Sequence, residues 1–171
     1  AYGSPNTISG FGGVIKKKTI SSMFRIDTPI NLKNTLGTSS DSFLSWQLFD
    51  KWILDYEKSD EIVDLVGYNA PKAEHSTIVT AILAMNFAGN TINPTLAAGM
   101  DIWNKGGFLI PSVEFVRGDN WRIRVEADLF FSASKRQPDI SSLTGLSEDK
   151  THLFGAFATS DQLVVRVTRQ F

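Results

Sequence analysis

The sequence predicts an all-β fold, an antiparallel transmembrane β-barrel with about seven or eight strands in this chain. Three observations favour this fold class. Several segments alternate apolar and polar residues with a period of two, as a strand with two different faces must. The connections between these segments alternate between short and long. No apolar run reaches the roughly 18 residues that a membrane-spanning helix needs. Residues 1–171 are expected to form a single β-barrel domain or the C-terminal segment of a larger barrel.

The composition excludes several kinds of site. The formal net charge is −1, so charge does not favour binding of nucleic acid. The absence of cysteine excludes disulfides, thiolate metal sites and a cysteine nucleophile. Two histidines, His75 and His152, are too few for a multi-histidine zinc site. No G-x-S-x-G motif marks an activated serine. We therefore assign no catalytic residue, no metal ligand and no cofactor, and we do not expect an enzyme.

The segment from Trp121 to Phe131 carries the clearest strand pattern. Its odd-numbered residues are apolar, and its even-numbered residues are charged as far as Asp128, with Phe130 as the exception. A helix would scatter these charges around its circumference, whereas a strand sorts them onto one face. We expect the charged face to point into a wet lumen, where it either selects permeating solutes or forms a structural network of salt bridges. The lumen-facing candidates are Arg122, Arg124, Glu126, Asp128 and, from the last strand, Arg166.

The C-terminal segment alternates in the same way. Leu163, Val165, Val167 and Phe171 share one face, which Arg169 interrupts. The opposite face carries mainly arginine, threonine and glutamine side chains. This pattern predicts a final strand that Phe171 closes.

The remaining strands are predicted with varying clarity. The segment 43–56 fits a strand, and its apolar residues also fit a helix, since both three- and four-residue steps connect them. We prefer the strand. Ala88-Gly89-Asn90 predicts a tight hairpin turn in which glycine supplies a positive φ. The other predicted strands are 10–17, 21–28, 77–87, 91–102 and 108–116.

The lengths of the connections predict how the strands would cross an outer membrane. In bacterial outer-membrane barrels the periplasmic turns are short, the external loops are longer and both chain ends are periplasmic. Counting back from the last strand assigns most long connections to the outside and most short ones to the periplasm. The connection 29–41 fits poorly, because it is long and would be periplasmic. The expected external connections are 57–76, 103–107 and 132–161, and the expected periplasmic ones are 29–41, 88–90 and 117–120.

Aromatic residues are expected near the ends of the strands, on the apolar face. Aromatic belts at the two membrane–water interfaces are typical of transmembrane barrels. An aromatic-rich soluble core is the alternative interpretation of the same residues. The candidates for the aromatic girdle are Trp46, Trp52, Trp103 and Trp121.

Two sets of residues carry a resemblance to known proteins. The alternating residues Leu163 to Phe171 resemble the C-terminal signal of bacterial outer-membrane proteins, although Arg169 stands where an aromatic residue is usual. Further motifs lie between Phe43 and Phe171. They are Thr91–Leu96, Leu109–Val113, Gly118–Arg122, Glu126–Phe131, Phe154-Gly155-x-Phe157 and Asp161-Gln162. Together these motifs resemble a porin-like bacterial outer-membrane β-barrel family that is catalogued as a domain of unknown function.

The resemblance implies an outer-membrane location and passive transport through a porin-like channel. Its implied partners are the lipid bilayer, lipopolysaccharide and the barrel assembly machinery, which would recognise the C-terminal strand. Either further copies of the chain or the rest of the same barrel would complete the assembly, since members of this family are longer than 171 residues. Two alternatives stay open: a soluble β-barrel or sandwich that binds an apolar ligand, and a non-conducting structural barrel of the outer membrane.

Overall fold

The structure, a computed structural model, describes residues 2–4, 13–15, 17–60, 62–64, 70–133 and 152–170. Nearly all of its regular structure is β-strand. The two helices are single turns, and a 3-10 turn lies at Lys58–Asp60. The strands are β1 (Tyr2–Ser4), β2 (Gly13–Ile15), β3 (Thr19–Ile30), β4 (Ser42–Ile53), β5 (Val63–Asp64), β6 (Ala70–Pro71), β7 (His75–Ala84), β8 (Ile92–Asp101), β9 (Gly106–Arg117), β10 (Trp121–Ser132) and β11 (Gln162–Arg169), and the helices are α1 (Lys33–Leu36) and α2 (Leu153–Phe157).

Seven strands form one continuous sheet in the order β3-β4-β7-β8-β9-β10-β11. Every pair of neighbours is antiparallel, so the predicted all-β antiparallel class is confirmed. The segment 43–56, which fitted both a strand and a helix, is a strand as far as Ile53. Strand pairing decides the conformation there, because every residue of β4 has a register partner in β3.

A second, small sheet has the order β2-β1-β5-β6. The strands β5 and β6 belong to the connection between β4 and β7. Next to them, Ile53 and Ile62 are buried against each other and Tyr56 packs on the pair. The predicted strand 10–17 is represented by β2, and the rest of that segment lies partly outside the described residues.

The connections of the large sheet fall at two ends, which we call the long-loop end and the short-turn end. The long-loop end has the connections 54–74, 102–105 and 133–161, and the short-turn end has 31–41, 85–91 and 118–120. The turn after β7 is tight because Ala88, Gly89 and Asn90 all have positive φ angles of 49°, 64° and 68°. The sequence predicted this conformation for glycine alone.

The long connection 31–41 at the short-turn end is compact. It contains α1, which Gly37 ends in a left-handed conformation with φ 74°. The backbone N–H of Ser39 donates to the carbonyl of Asn86 at 2.9 Å, and Ser40 N–H donates to the Asn86 side-chain oxygen at 2.8 Å. The connection therefore lies against the neighbouring β7–β8 turn, which explains how it can be longer than the other turns at this end.

Candidate functional site

The two faces of the large sheet differ in chemistry. The register places the even residues of β3, β4 and β8 on one face together with the odd residues of β7, β9, β10 and β11. We call this the apolar face. Large hydrophobic side chains stay exposed on it from one edge of the sheet to the other. They include Ile20, Phe24, Ile26, Trp52, Leu96, Met100, Leu109, Phe115, Trp121, Ile123, Leu129, Phe131, Leu163, Val165 and Val167.

Few apolar residues of the described chain are buried, and several polar ones are. The buried hydrophobic residues are Ile53, Ile62 and Ala158. Ser45, Ser112 and Asp128, in contrast, are buried on the other face of the sheet. This distribution is the reverse of a soluble domain, in which large apolar residues fill the core and polar residues cover the outside.

The opposite face, which we call the polar face, carries ionisable side chains along β9, β10 and β11. Arg122 Nη1 lies 3.1 Å from Glu114 Oε1 on the neighbouring strand. Arg124 forms an ion pair with Glu126 two residues along the same strand. The sequence-predicted lumen residues therefore share one face, as expected. The polar residues of this face include Arg25, Asp27, Gln47, Thr80, Asn93, Thr95, Ser112, Glu114, Arg122, Arg124, Glu126, Asp128, Gln162 and Arg166, and Met23, Phe43, Phe49 and Ile82 are exposed apolar residues among them.

One further hydrogen bond and one like-charge pair lie between β10 and β11 on this face. Gln162 Nε2 donates a 2.6 Å hydrogen bond to Asp128 Oδ2. Arg124 and Arg166 lie directly opposite each other in the register, a like-charge arrangement that destabilises a strand pair. Arg124 Nε is buried without a hydrogen-bond partner, and Arg166 has no ion pair within the described residues. The positive charge at this point of the β10–β11 pair is thus only partly compensated.

The helix α2 packs on the polar face at the long-loop end. The Phe154 ring lies 5.9 Å from the Phe108 ring, and the Phe157 ring lies 5.6 Å from the Phe130 ring. The sequence predicted 132–161 as an external connection and gave no helix or sheet contact within it. The available signal was Phe130, the one apolar residue that interrupts the charged stripe of β10, because α2 covers it.

Aromatic residues of the apolar face lie at both ends of the sheet. At the long-loop end, the His75 ring stacks between Trp52, at 5.0 Å, and Trp103, at 5.9 Å. At the short-turn end, Arg169 lies over the Trp121 ring, 5.3 Å from its centroid. Trp46, which was also a girdle candidate, lies inside β4 and contacts Phe24 at 6.1 Å. Trp52, Trp103 and Trp121 therefore lie at the ends of the sheet, and Trp46 does not.

The indole nitrogens at the long-loop end have partners. Trp52 Nε1 donates to Glu74 Oε1 at 2.9 Å, and Trp103 Nε1 donates to Thr77 Oγ1 at 3.0 Å. A ring that rests on apolar surface while its N–H is satisfied beside a polar rim is the usual arrangement at a membrane interface.

The residues of the predicted C-terminal signal are aligned along the apolar face. Leu163, Val165 and Val167 are 71%, 61% and 59% exposed, among the highest values for apolar residues of the sheet. Phe171, the last residue of the signal, lies outside the described residues.

Two shallow depressions on the apolar face, of about 370 and 440 Å³, are almost entirely lined by apolar atoms. The first lies over Pro94, Pro111 and Ala127, and the second over Ala81 and Ala98. Small side chains surrounded by large ones produce them, and they fit hydrocarbon chains better than polar solutes.

Within the described ranges, no cluster of three or more His, Cys, Asp and Glu side chains is placed so that it could hold a metal ion. None of the helices in these ranges is long and apolar enough to cross a membrane.

Comparison of the chain with protein-family models, with curated proteins and with solved structures found no match.

Proposed function

We propose that the chain forms all or part of the wall of a porin-like β-barrel in the bacterial outer membrane and serves passive transport. The observation that carries this proposal is the apolar face, which exposes large hydrophobic side chains on all but one of its strands, while most of the charges of the sheet lie on the other face. A monomeric soluble protein rarely exposes an apolar patch larger than a few hundred Å². A lipid bilayer supplies the contact that this face lacks.

The position of α2 supports lipid over a second protein layer. In a soluble sandwich, further elements would pack on the apolar face of the sheet. The one helix that packs on the described part of the sheet lies on the polar face instead, through Phe154 and Phe157. A polar face that receives its own connection and carries ion pairs suits a hydrated barrel interior.

The transport role rests on the polar face. Its charges form ion pairs, such as Arg122 with Glu114 and Arg124 with Glu126, and a face of this kind suits a hydrated wall. Such a wall favours passage of small polar solutes and uses lumen width and local charge for selection. Closure of the sheet into a barrel is part of this proposal, as are lipopolysaccharide and the barrel assembly machinery as partners.

The test is conductance of the natural protein in a planar bilayer. We expect discrete channels whose anion-to-cation permeability ratio falls when Arg166, on the polar face, is replaced by glutamine, because the local positive charge is lost. Arg169→Gln is the matched control, since it removes the same charge from the apolar face of the same strand. Absence of channels would reject the transport function, and equal effects of both variants would reject the assignment of the faces.

Tryptophan depth gives an independent prediction about the bilayer. In single-tryptophan variants, Trp46 fluorescence should be quenched most by lipids brominated deep in the acyl chain, because Trp46 lies inside β4. Trp103 and Trp121, at opposite ends of the sheet, should be quenched most by lipids that carry bromine near the headgroup. Equal quenching at all three positions would contradict a transmembrane sheet.

A soluble module that binds an apolar ligand is the second candidate, and the two depressions of the apolar face favour it. Purification without detergent separates the two functions. The soluble candidate requires a monodisperse protein with a β-rich spectrum, whereas the barrel is expected to aggregate until detergent or lipid is added.

A further inference from the structure

The two outer strands of the large sheet each leave one side open. Within the described residues, β3 is hydrogen-bonded only to β4 and β11 only to β10. The Gln170 N–H donates to the Asn120 carbonyl at 2.8 Å, which fixes the phase of the β10–β11 ladder. Hydrogen-bonded and non-hydrogen-bonded residue pairs alternate along an antiparallel ladder, so the even-numbered residues of β11 bond to β10. The N–H groups of the odd-numbered residues Leu163, Val165 and Val167 therefore point away from β10. A strand edge of this kind cannot stay unpaired in hydrocarbon.

The directions of the two strands restrict how these edges are satisfied. Both β3 and β11 run from the long-loop end to the short-turn end. Direct closure of β3 on β11 would therefore produce a parallel pair in an otherwise antiparallel sheet. A second copy inserted in the same orientation would also place its β3 parallel to β11. Antiparallel closure requires an odd number of additional strands between β11 and β3.

We infer, on the basis of the proposed barrel, that an odd number of further transmembrane strands fills this gap, and that the strand beside β11 presents a carboxylate to Arg166. The carboxylate follows from the charges on the polar face. Arg166 has a like charge, Arg124, as its register partner on β10, and Arg124 is already paired with Glu126. An opposite charge on the other side of β11 would compensate Arg166 in the way that cross-strand pairs do.

Strands of the same polypeptide can fill this gap in the required direction. The chain enters β3 at the long-loop end, where Lys18 N–H donates to Asp55 Oδ1 at 2.9 Å just after β4. The strands β1 and β2 are paired with β5, which belongs to the connection at that end. A strand that brings the chain to this end runs towards it, and this is the direction that is antiparallel to both β3 and β11.

Cysteine cross-linking tests the strand count, because the natural sequence has no cysteine. Three double-cysteine variants of the natural protein would be prepared in outer membranes. Each combines Arg166→Cys with one polar-face position of β3, namely Met23→Cys, Arg25→Cys or Asp27→Cys. Arg124→Cys with Arg166→Cys is the positive control, since these positions are register partners. Two strand spacings are about 9–10 Å, beyond the roughly 7 Å that a disulfide spans, so we expect the control alone to cross-link.

The alternatives give different products. A cross-link within one chain between β3 and β11 would establish direct parallel closure and overturn the inference. A cross-link between two chains would assign the edge to a second copy and overturn it as well. Native mass spectrometry of the detergent-extracted protein should show a single kind of polypeptide; a second kind would overturn the assignment of the added strands to this one.

Hydrogen exchange and charge variants test the added strand directly. The amides of Val165 and Val167 should exchange slowly in the natural protein in bilayers, and fast exchange would show that the edge is open. Arg166→Gln should lower the amount of folded, heat-modifiable protein, because the carboxylate on the added strand would lose its partner, with Thr168→Gln as the control on the same face. Without that carboxylate the substitution only removes the like charge opposite Arg124, so an unchanged or raised amount would reject the carboxylate. These readouts do not depend on conductance, so a non-conducting protein would reject the transport function and leave the strand count standing.

Discussion

Replacing Val165 with arginine should destabilise the folded protein in lipid vesicles by about 2–4 kcal/mol, the cost of arginine on the lipid face near the bilayer midplane. Val165 lies in the middle of β11 on the apolar face, opposite Val125, and is 61% exposed. In water, a change at so exposed a position is usually worth within about 0.5 kcal/mol. The size of the effect therefore reports which solvent this face meets.

The adjacent Val164 is a matched control for Val165. It is the same residue type on the same strand, but it lies on the polar face opposite Glu126. Arginine at this position gains an opposite charge, so Val164→Arg should change stability little. Urea titration of protein folded into purified vesicles measures both variants without the assembly machinery, which would otherwise also respond to changes in the C-terminal strand. Equal tolerance of both substitutions would reject lipid contact at the apolar face.

Gly107→Val should lower the free energy of unfolding by about 1–3 kcal/mol, the usual cost of overpacking a filled position. A Cβ atom at this position would overlap the carbonyl oxygen of Gly99 on the next strand and the ring of Phe131. The carbonyl belongs to the backbone and cannot turn aside, so β8 and β9 would have to separate locally. Elsewhere in a strand, replacement of glycine by valine is favourable.

Ala98→Val is the control for Gly107→Val. Ala98 lies on the apolar face of β8 and lines the depression of about 440 Å³, where two additional methyl groups have room. We expect urea midpoints close to the unmodified protein for this variant and clearly lower for Gly107→Val. Equal midpoints would show that the β8–β9 contact relaxes without cost.

The faces of the strands could be predicted from the sequence because side chains of a strand alternate between two sides. Arg122, Arg124 and Glu126 needed only their own spacing for assignment to one face, and the structure places them together. The structure confirms the predicted antiparallel sheet of β-strands. Closure of the barrel is a different property, because it depends on the partner of β11, which no local pattern encodes.

Other features depend on contacts between distant segments and escaped the sequence analysis. The position of Trp46 inside the sheet follows from its pairing with Ile26 and Ala81 on the neighbouring strands, and not from its place near the start of the alternating segment. The helix α2 has five residues, too few for a helical period to be recognised, and its position is fixed by rings on β9 and β10. The small sheet joins β1 to β5 across the chain through strands of two or three residues.

The order of the strands in the large sheet has a consequence for the speed of folding. Almost every strand pairs with the next one in the chain, so assembly closes short loops, whose entropic cost is small. The hairpins β8–β9 and β9–β10, whose connections 102–105 and 118–120 are the shortest, are the natural starting points. Pairing of β4 with β7 closes the long connection 54–74, which contains β5 and β6. Pairing of β10 with β11 closes the connection 133–161. We expect these two junctions to form last, so the edge strands would join a central sheet that already exists.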